Sequence, residues 1–379
     1  MTGEMTADTD LPPARPFPGA REAAELLLGR VTATAGELGE LFPLYADPAT
    51  GRWRTSRRGS WAGGFWAGLL WLAAARSGDP ADRGRAAACT ARLRPRAADD
   101  TDARAMIFWY GAAAGHRLCG DDGAAAIALE GAAALADSRR ELGPGAFVPA
   151  GTALGRGPRG AVTLTVDAAA AVTALLGWAG RTAGRADWTA LARQHAAAVA
   201  EHCVDGDGAV RASAVPREGA AGHPPAGRWS RGQAWGMLAL ATAAAVPDPG
   251  PDFGAAACRT ADWWLDRTAG GVPPWSFADP DGLRDTSAAA IAAEALLVLA
   301  EVLGEPRGAG YREAAADLLR TLAERHLTRP AAGAGGAAAP PAGMLLDGCY
   351  DRESGTAVAH ELVWGDHFLL AALLRPAGG

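Results

Sequence analysis

Apolar residues recur along this chain at three- and four-residue spacings, in blocks divided by irregular stretches, and that period belongs to helices. About twelve such blocks can be marked, with cores near 19–38, 61–77, 81–94, 102–118, 122–137, 166–182, 186–203, 231–246, 252–267, 285–303, 309–326 and 364–375. Alternating β-branched or aromatic runs are scarce, and residues 162–166 and 344–346 give the two weak strand signals. The pattern predicts an all-α protein.

The links between blocks fall into two classes that alternate. Those after the second, fourth, sixth, eighth and tenth blocks are short, with Gly suited to ending one helix and Asp or Pro to starting the next: 77–80, 120–122, 184–185, 247–250 and 304–306. The others are mostly long and rich in Gly, Pro and aromatic residues: 39–60, 138–165, 204–230, 268–284 and 327–363, with 95–101 the shortest. Six helical hairpins closed into a ring would carry every long loop on one face. An (α/α)6 barrel, a six-hairpin toroid, is therefore expected, with residues 1–18 as a disordered tail and 19–379 as one catalytic domain. The Ala, Gly and Pro run from 330 to 341 reads as a flexible insertion, about 328–343, inside that domain. A superhelical stack of hairpins is the alternative; no consensus at fixed period supports it.

Six chemically loaded clusters sit where alternate blocks begin, so a toroid would gather them on one rim: Trp61 to Trp66, Thr101-Asp102, Thr165-Val166-Asp167, Arg228 to Trp235, Arg284 to Ser287, and Trp364 to His367. Asp102 and Asp167 form the natural catalytic pair. An aspartate at a helix start is ordinarily a cap, since it satisfies free backbone N–H groups and meets the positive end of the helix dipole. Two carboxylates in one cleft can instead hold one proton near neutral pH, which a general acid requires. Thirteen Trp against four Tyr is unusual, and indole faces stack on sugar rings. Trp61, Phe65, Trp229, Trp235 and Trp275 are placed for that, while Trp71, Trp178, Trp263 and Trp264 read as core. Arg231 opens a helix where a cation is disfavoured, which points to a bidentate grip on a substrate carboxylate; a surface ion pair is the plainer reading.

Bulk properties narrow the classes. The chain has 379 residues, 49% of them hydrophobic, and a formal charge of −6, and all its basic residues are arginine. No basic run stands out, so neither nucleic acid nor a membrane surface is expected as partner. Five scattered cysteines without a CxxC pair favour neither a disulfide frame nor a zinc site. His195, His202, His326 and His360 lack metal-ligand spacing, and phosphate-loop, dinucleotide and GxSxG signatures are missing. No metal or cofactor is expected. The polar, acidic start has no apolar h-region, and a cytoplasmic protein, monomer or homo-oligomer, follows.

The motifs at these starts resemble glycoside hydrolase family 88, the unsaturated glucuronyl hydrolases, over about residues 50 to 375. Arg231-Gly232-Gln233-Ala234-Trp235-Gly236 resembles the family's ARGQAWG segment, Arg284 to Ala293 its RDSSAAAIAA segment, and Gly365 to Arg375 its GDYYFLEALLR ending. The resemblance implies an (α/α)6 barrel and a cofactor-free hydrolase that releases a 4,5-unsaturated uronic acid from a non-reducing end by hydrating the C4=C5 bond. It implies Asp167 as general acid and base, Asp102 as its partner on the sugar hydroxyls, and substrate contacts from Arg231 and Trp235; Gln233, Asp285 and Ser287 join them as candidates within the same motifs. The chain departs from the pattern at Thr101, where a histidine precedes the family's aspartate, and at Ala103-Arg104 after it. Ala168 replaces an asparagine, 207–214 lacks a histidine, and 220–227 lacks a glutamine, where His223 is a partial substitute. Two other readings follow from these departures: a hydratase or glycosidase acting on a small glycosylated metabolite, and a catalytically silent sugar-binding protein.

Overall fold

The computed structural model describes residues 17–217, 226–246, 252–330 and 340–375. The expected tail (apart from residues 17 and 18), the core of the expected insertion, the turn 247–250 and His223 lie outside these residues. In chain order the elements are α1 (Ala20–Leu38), β1 (Phe42–Ala46), β2 (Trp53–Ser56), α2 (Gly63–Ser77), α3 (Pro80–Leu93), α4 (Ala103–Phe108), α5 (Ala114–Cys119), α6 (Asp122–Asp137), β3 (Arg140–Leu142), β4 (Gly145–Phe147), α7 (Gly157–Gly160), β5 (Leu164–Thr165), α8 (Ala169–Thr182), α9 (Ala186–Cys203), β6 (Ser213–Ala214), α10 (Ser230–Ala245), α11 (Phe253–Thr268), α12 (Thr286–Leu303), α13 (Ala309–Arg325), β7 (Glu361–Leu362) and α14 (Val363–Leu373). A π turn, Trp109–Ala113, joins α4 to α5 in one continuous rod, so the twelve helices expected from the periodicity are all present.

The ring closes. Inner helices α2, α4–α5, α8, α10, α12 and α14 pack each on the next, and α14 returns to α2; α3, α6, α9, α11, α13 and α1 lie outside them. This is an (α/α)6 barrel, and the closure from α14 to α2 excludes an open superhelical stack. The inner helices are apolar nearly all round because both faces are covered. In α12 every side chain from Thr286 to Ala293 is buried. That helix is long and apolar enough to cross a membrane by composition, but it is a core helix packed between α10, α13 and α14.

Close packing of the ring depends on glycine at one contact. A Cβ built on Gly64 would lie 2.5 Å from the Met106 carbonyl oxygen, so the α2 and α4 backbones touch there. The π turn alongside presents the Gly111 carbonyl sideways, where the buried Trp71 indole (3.0 Å) and the Thr90 hydroxyl (2.8 Å) both donate to it. The ends of the chain are tied by an ion pair: Arg30 of α1 donates through Nε (3.0 Å) and Nη2 (2.7 Å) to the buried Glu361 of β7.

The long loops carry more β structure than expected. β1 pairs antiparallel with β2 and β7, β3 with β4, and β5 with β6. The first hairpin escapes a period-two reading because Phe42-Pro43-Leu44-Tyr45-Ala46 is interrupted by Pro43 and bulges between Pro43 and Tyr45. Of the two weak strand signals, the first contains β5, and the second contributes an isolated bridge from Leu345 to Leu327.

Candidate active site

All six clusters stand at the starts of inner helices, so the loops above them frame one rim. Asp102 and Asp167 meet there through Thr165. Asp102 occupies the N-cap position of α4 yet makes no cap hydrogen bond. Its Oδ1 accepts from Arg156 Nη1 at 2.6 Å, and its Oδ2 accepts a short bond from the Thr165 hydroxyl. Thr165 ends β5 two residues before Asp167, which fixes the distance between the two carboxylates along the chain. Asp167 precedes the N-cap of α8, which is Ala168, so its carboxylate is not a cap either. Capping therefore explains neither aspartate.

Their environments differ. Asp102 is buried and ion-paired. Asp167 is only half-buried by its own surface, which leaves it open to a ligand. Removal from bulk water, and then the negative charge of Asp102, push its carboxyl up to about 6, against the opposing pull of Arg156 and Arg231. Near that pH the group is divided between acid and base, so it can both give and take a proton.

Of the aromatic candidates, Trp61, Trp229 and Trp275 remain half-buried at the rim. The Trp61 indole donates to the Tyr350 hydroxyl at 3.0 Å and packs on Trp364 with ring centres 4.7 Å apart. Trp229 and Trp275 lie on paired segments, bridged from Trp229 to Ser276.

The remaining candidates make their contacts within the protein. Phe65 and Trp235 are sealed in the core, 0% and 2% exposed, because the small residues around α2 bring the inner helices together over them. Phe65 stacks on Tyr110 at 4.8 Å. Gln233 is occupied entirely by backbone: its Oε1 accepts from Val210 (2.8 Å) and its Nε2 donates to Gly208 (2.9 Å) and Thr260 (3.1 Å), which pins the loop after α9. Asp285 and Ser287 are buried; the Ser287 hydroxyl donates to Asp285 Oδ1 at 2.6 Å, and Asp285 caps α12. Arg231 is 5% exposed. Its Nη1 donates to Asp285 and to the Cys349 carbonyl (2.6 Å), and its Nη2 to the Tyr350 carbonyl (2.7 Å). Both terminal nitrogens are thus engaged within the protein, which leaves Nε as the donor without a protein partner among the described residues. Arg231 clamps the loop 347–350 onto the starts of α10 and α12.

Sequence reasoning missed Arg156, which sits in a Gly-rich loop without periodicity, and Tyr350, in the long connection before α14. Thr101 stands where a histidine was expected: its hydroxyl reaches Asp102 at 3.5 Å and accepts from the Ala103 N–H at 3.2 Å. The shorter contacts to Asp102 come from Arg156 and Thr165. Among the described residues no group of three or more His, Cys, Asp or Glu side chains is placed to hold a metal ion.

No protein-family model matches the chain. It is 28% identical over 367 residues to the unsaturated glucuronyl hydrolase of Bacillus sp. (strain GL1), an alignment covering 92% of this chain and 94% of that protein. The solved structure of a Bacillus sp. GL1 unsaturated glucuronyl hydrolase superposes with a TM-score of 0.81 at 26% identity, over 94% of this chain and 96% of that one. In sequence and in fold the chain is similar to the unsaturated glucuronyl hydrolases of glycoside hydrolase family 88. A second relative, the unsaturated chondroitin disaccharide hydrolase of Streptococcus pyogenes serotype M1, is 27% identical over 375 residues, covering 93% of this chain and 90% of that protein. The family accounts for the closed barrel and for the rim of inner-helix starts.

Proposed function

We propose that this protein releases a 4,5-unsaturated uronic acid from the non-reducing end of a small saccharide by hydrating the C4=C5 bond, with Asp167 as general acid and base. The observation that carries this reading is the uncapped, half-open Asp167 carboxyl at about 6 beside a paired Asp102. The similar proteins are named an unsaturated glucuronyl hydrolase and an unsaturated chondroitin disaccharide hydrolase, which supports an unsaturated uronosyl saccharide as substrate.

Water is the one co-reactant. Protonated Asp167 gives its proton to C4 of the enol ether, and the ring oxygen shares the positive charge that develops at C5. The Asp167 carboxylate then takes a proton from a water molecule as the water oxygen bonds to C5. The resulting hemiketal opens to a C5 ketone, and the freed C1 hemiacetal expels the aglycone alcohol. Asp102, held by Arg156 and Thr165, is placed to accept from a sugar hydroxyl and to keep Asp167 poised. Trp61, Trp229 and Trp275 supply flat surfaces for the sugar rings.

Turnover in D2O followed by proton NMR tests the mechanism. Hydration predicts one deuterium on one face of C4 in the first product. A first product that is a free sugar with the double bond intact would overturn it, since direct hydrolysis by two carboxylates leaves C4 untouched.

A further inference from the structure

Arg156 lies in the loop between β4 and β5, and that loop is seated on the Asp102 corner by backbone contacts. The Asp102 N–H donates to the Ala150 carbonyl (3.1 Å), the Ala150 N–H to Thr163 (2.8 Å) and the Ala153 N–H to Asp100 (3.0 Å). Gly151, at φ +78°, passes so close that a Cβ would lie 2.2 Å from the Asp100 carbonyl oxygen. The loop therefore delivers Arg156 to a fixed place. Only one of its terminal nitrogens is used: Nη1 donates to Asp102 Oδ1 (2.6 Å) and to the Ala150 carbonyl (2.9 Å). Among the described residues its Nε and Nη2 have no hydrogen-bond partner, and 28% of the side chain is exposed. A planar guanidinium anchored on one arm and open along the Nε–Nη2 edge is a ready fork for a carboxylate. Arg231, by contrast, has both terminal nitrogens engaged and is 5% exposed.

We infer that Arg156 receives the C6 carboxylate of the sugar bound at this site, and so sets the preference for an acidic substrate. The inference rests on the functional reading above. It gives Asp102 and the substrate anion opposite sides of one cation, so a neutral sugar would leave that cation half-satisfied. Substrate acidity is then read by a residue of the loop, not of the barrel wall.

The test uses the Asp167→Asn protein, which does not consume its ligand, titrated calorimetrically with a lyase-generated unsaturated uronosyl disaccharide and with its C6 methyl ester. With Arg156 intact the acid is expected to bind about 10- to 100-fold tighter than the ester, the range for a charge-assisted hydrogen-bonded pair. Arg156→Gln, which keeps an amide donor for Asp102, should bring the acid-to-ester ratio close to one, and Arg156→Lys should leave it between. Loss of a merely structural contact would weaken both ligands alike and leave the ratio unchanged. An unchanged ratio in Arg156→Gln, or no preference with Arg156 intact, overturns the assignment. Wild-type turnover separates the two claims: turnover with an Arg156-independent ratio removes only the Arg156 assignment, and an Arg156-dependent ratio without turnover removes only the hydration reading.

Discussion

Replacing Asp167 with asparagine is expected to make the protein more stable at neutral pH while stopping turnover. The folded state holds this carboxyl at about 6, against an ordinary 3.8, chiefly because ionising it removes a hydrated charge from water and sets it beside Asp102. A folded pKa above the unfolded one means that folding favours the protonated form. The stability from that preference is complete below pH 3.8, declines as pH rises through 6, and is gone above it. A shift of this size corresponds to about 3 kcal/mol at most, and the half-open position of the side chain reduces it to about 1–3 kcal/mol. For a chain of this length an entropy of unfolding near 2.1 cal/mol/K per residue converts that to about 1–4 °C in Tm. The assay is differential scanning fluorimetry of wild type and Asp167→Asn in parallel from pH 4 to pH 8. The variant should match wild type near pH 4 and lead it by this margin from about pH 7 upward. Other raised carboxyls, such as Glu361 and Asp366, titrate in both proteins and cancel in the difference. A variant less stable than wild type at pH 7.5, or a gap that does not close toward pH 4, would refute the reasoning.

Asp102→Asn removes a negative charge that raises Asp167, so the alkaline limb of kcat/KM, expected near pH 6 in wild type, should move to lower pH along with a fall in kcat; a limb that stays in place would show that Asp102 does not act on Asp167. Asp285→Ala strips the buried Arg231 of its ion partner and should cost about 3–5 kcal/mol, seen as a large drop in Tm, whereas an unchanged Tm would mean that the clamp on residues 347–350 is not structural. Gly64→Ala places a methyl group 2.5 Å from the Met106 carbonyl oxygen and should force α2 from α4, destabilising by about 1–3 kcal/mol; normal stability by thermal melt would contradict the close approach. Arg30→Ala should destabilise by a similar few kcal/mol at pH 8 and by less at pH 5, because burial pushes Glu361 up to about 7 and a protonated Glu361 no longer needs its partner.

The barrel was legible in the sequence because its signal is repeated: twelve periodic blocks, with short and long links alternating, leave few closed arrangements. The catalytic candidates were legible for the same reason, since Asp102 and Asp167 open alternate blocks, and the structure keeps both free of capping. What sequence could not supply is which way a side chain turns at a crowded helix start. Phe65, Arg231, Gln233, Trp235, Asp285 and Ser287 lie within the right motifs, yet their contacts are with the protein: Gln233 with three backbone groups and Arg231 with Asp285 and two carbonyls. Those partners come from loops distant in sequence, and no spacing reveals them. Arg156 was invisible for a related reason. Its loop has no period, and its role exists only because the backbone at Ala150 folds back on Asp102.

The central claim, hydration by Asp167, is tested most directly by following the C4=C5 enoate absorbance of lyase-generated unsaturated disaccharides with wild type and Asp167→Asn side by side. The account predicts loss of absorbance with wild type, fastest near or below pH 6, and none above background with the variant. Loss at the same rate with both proteins would contradict it.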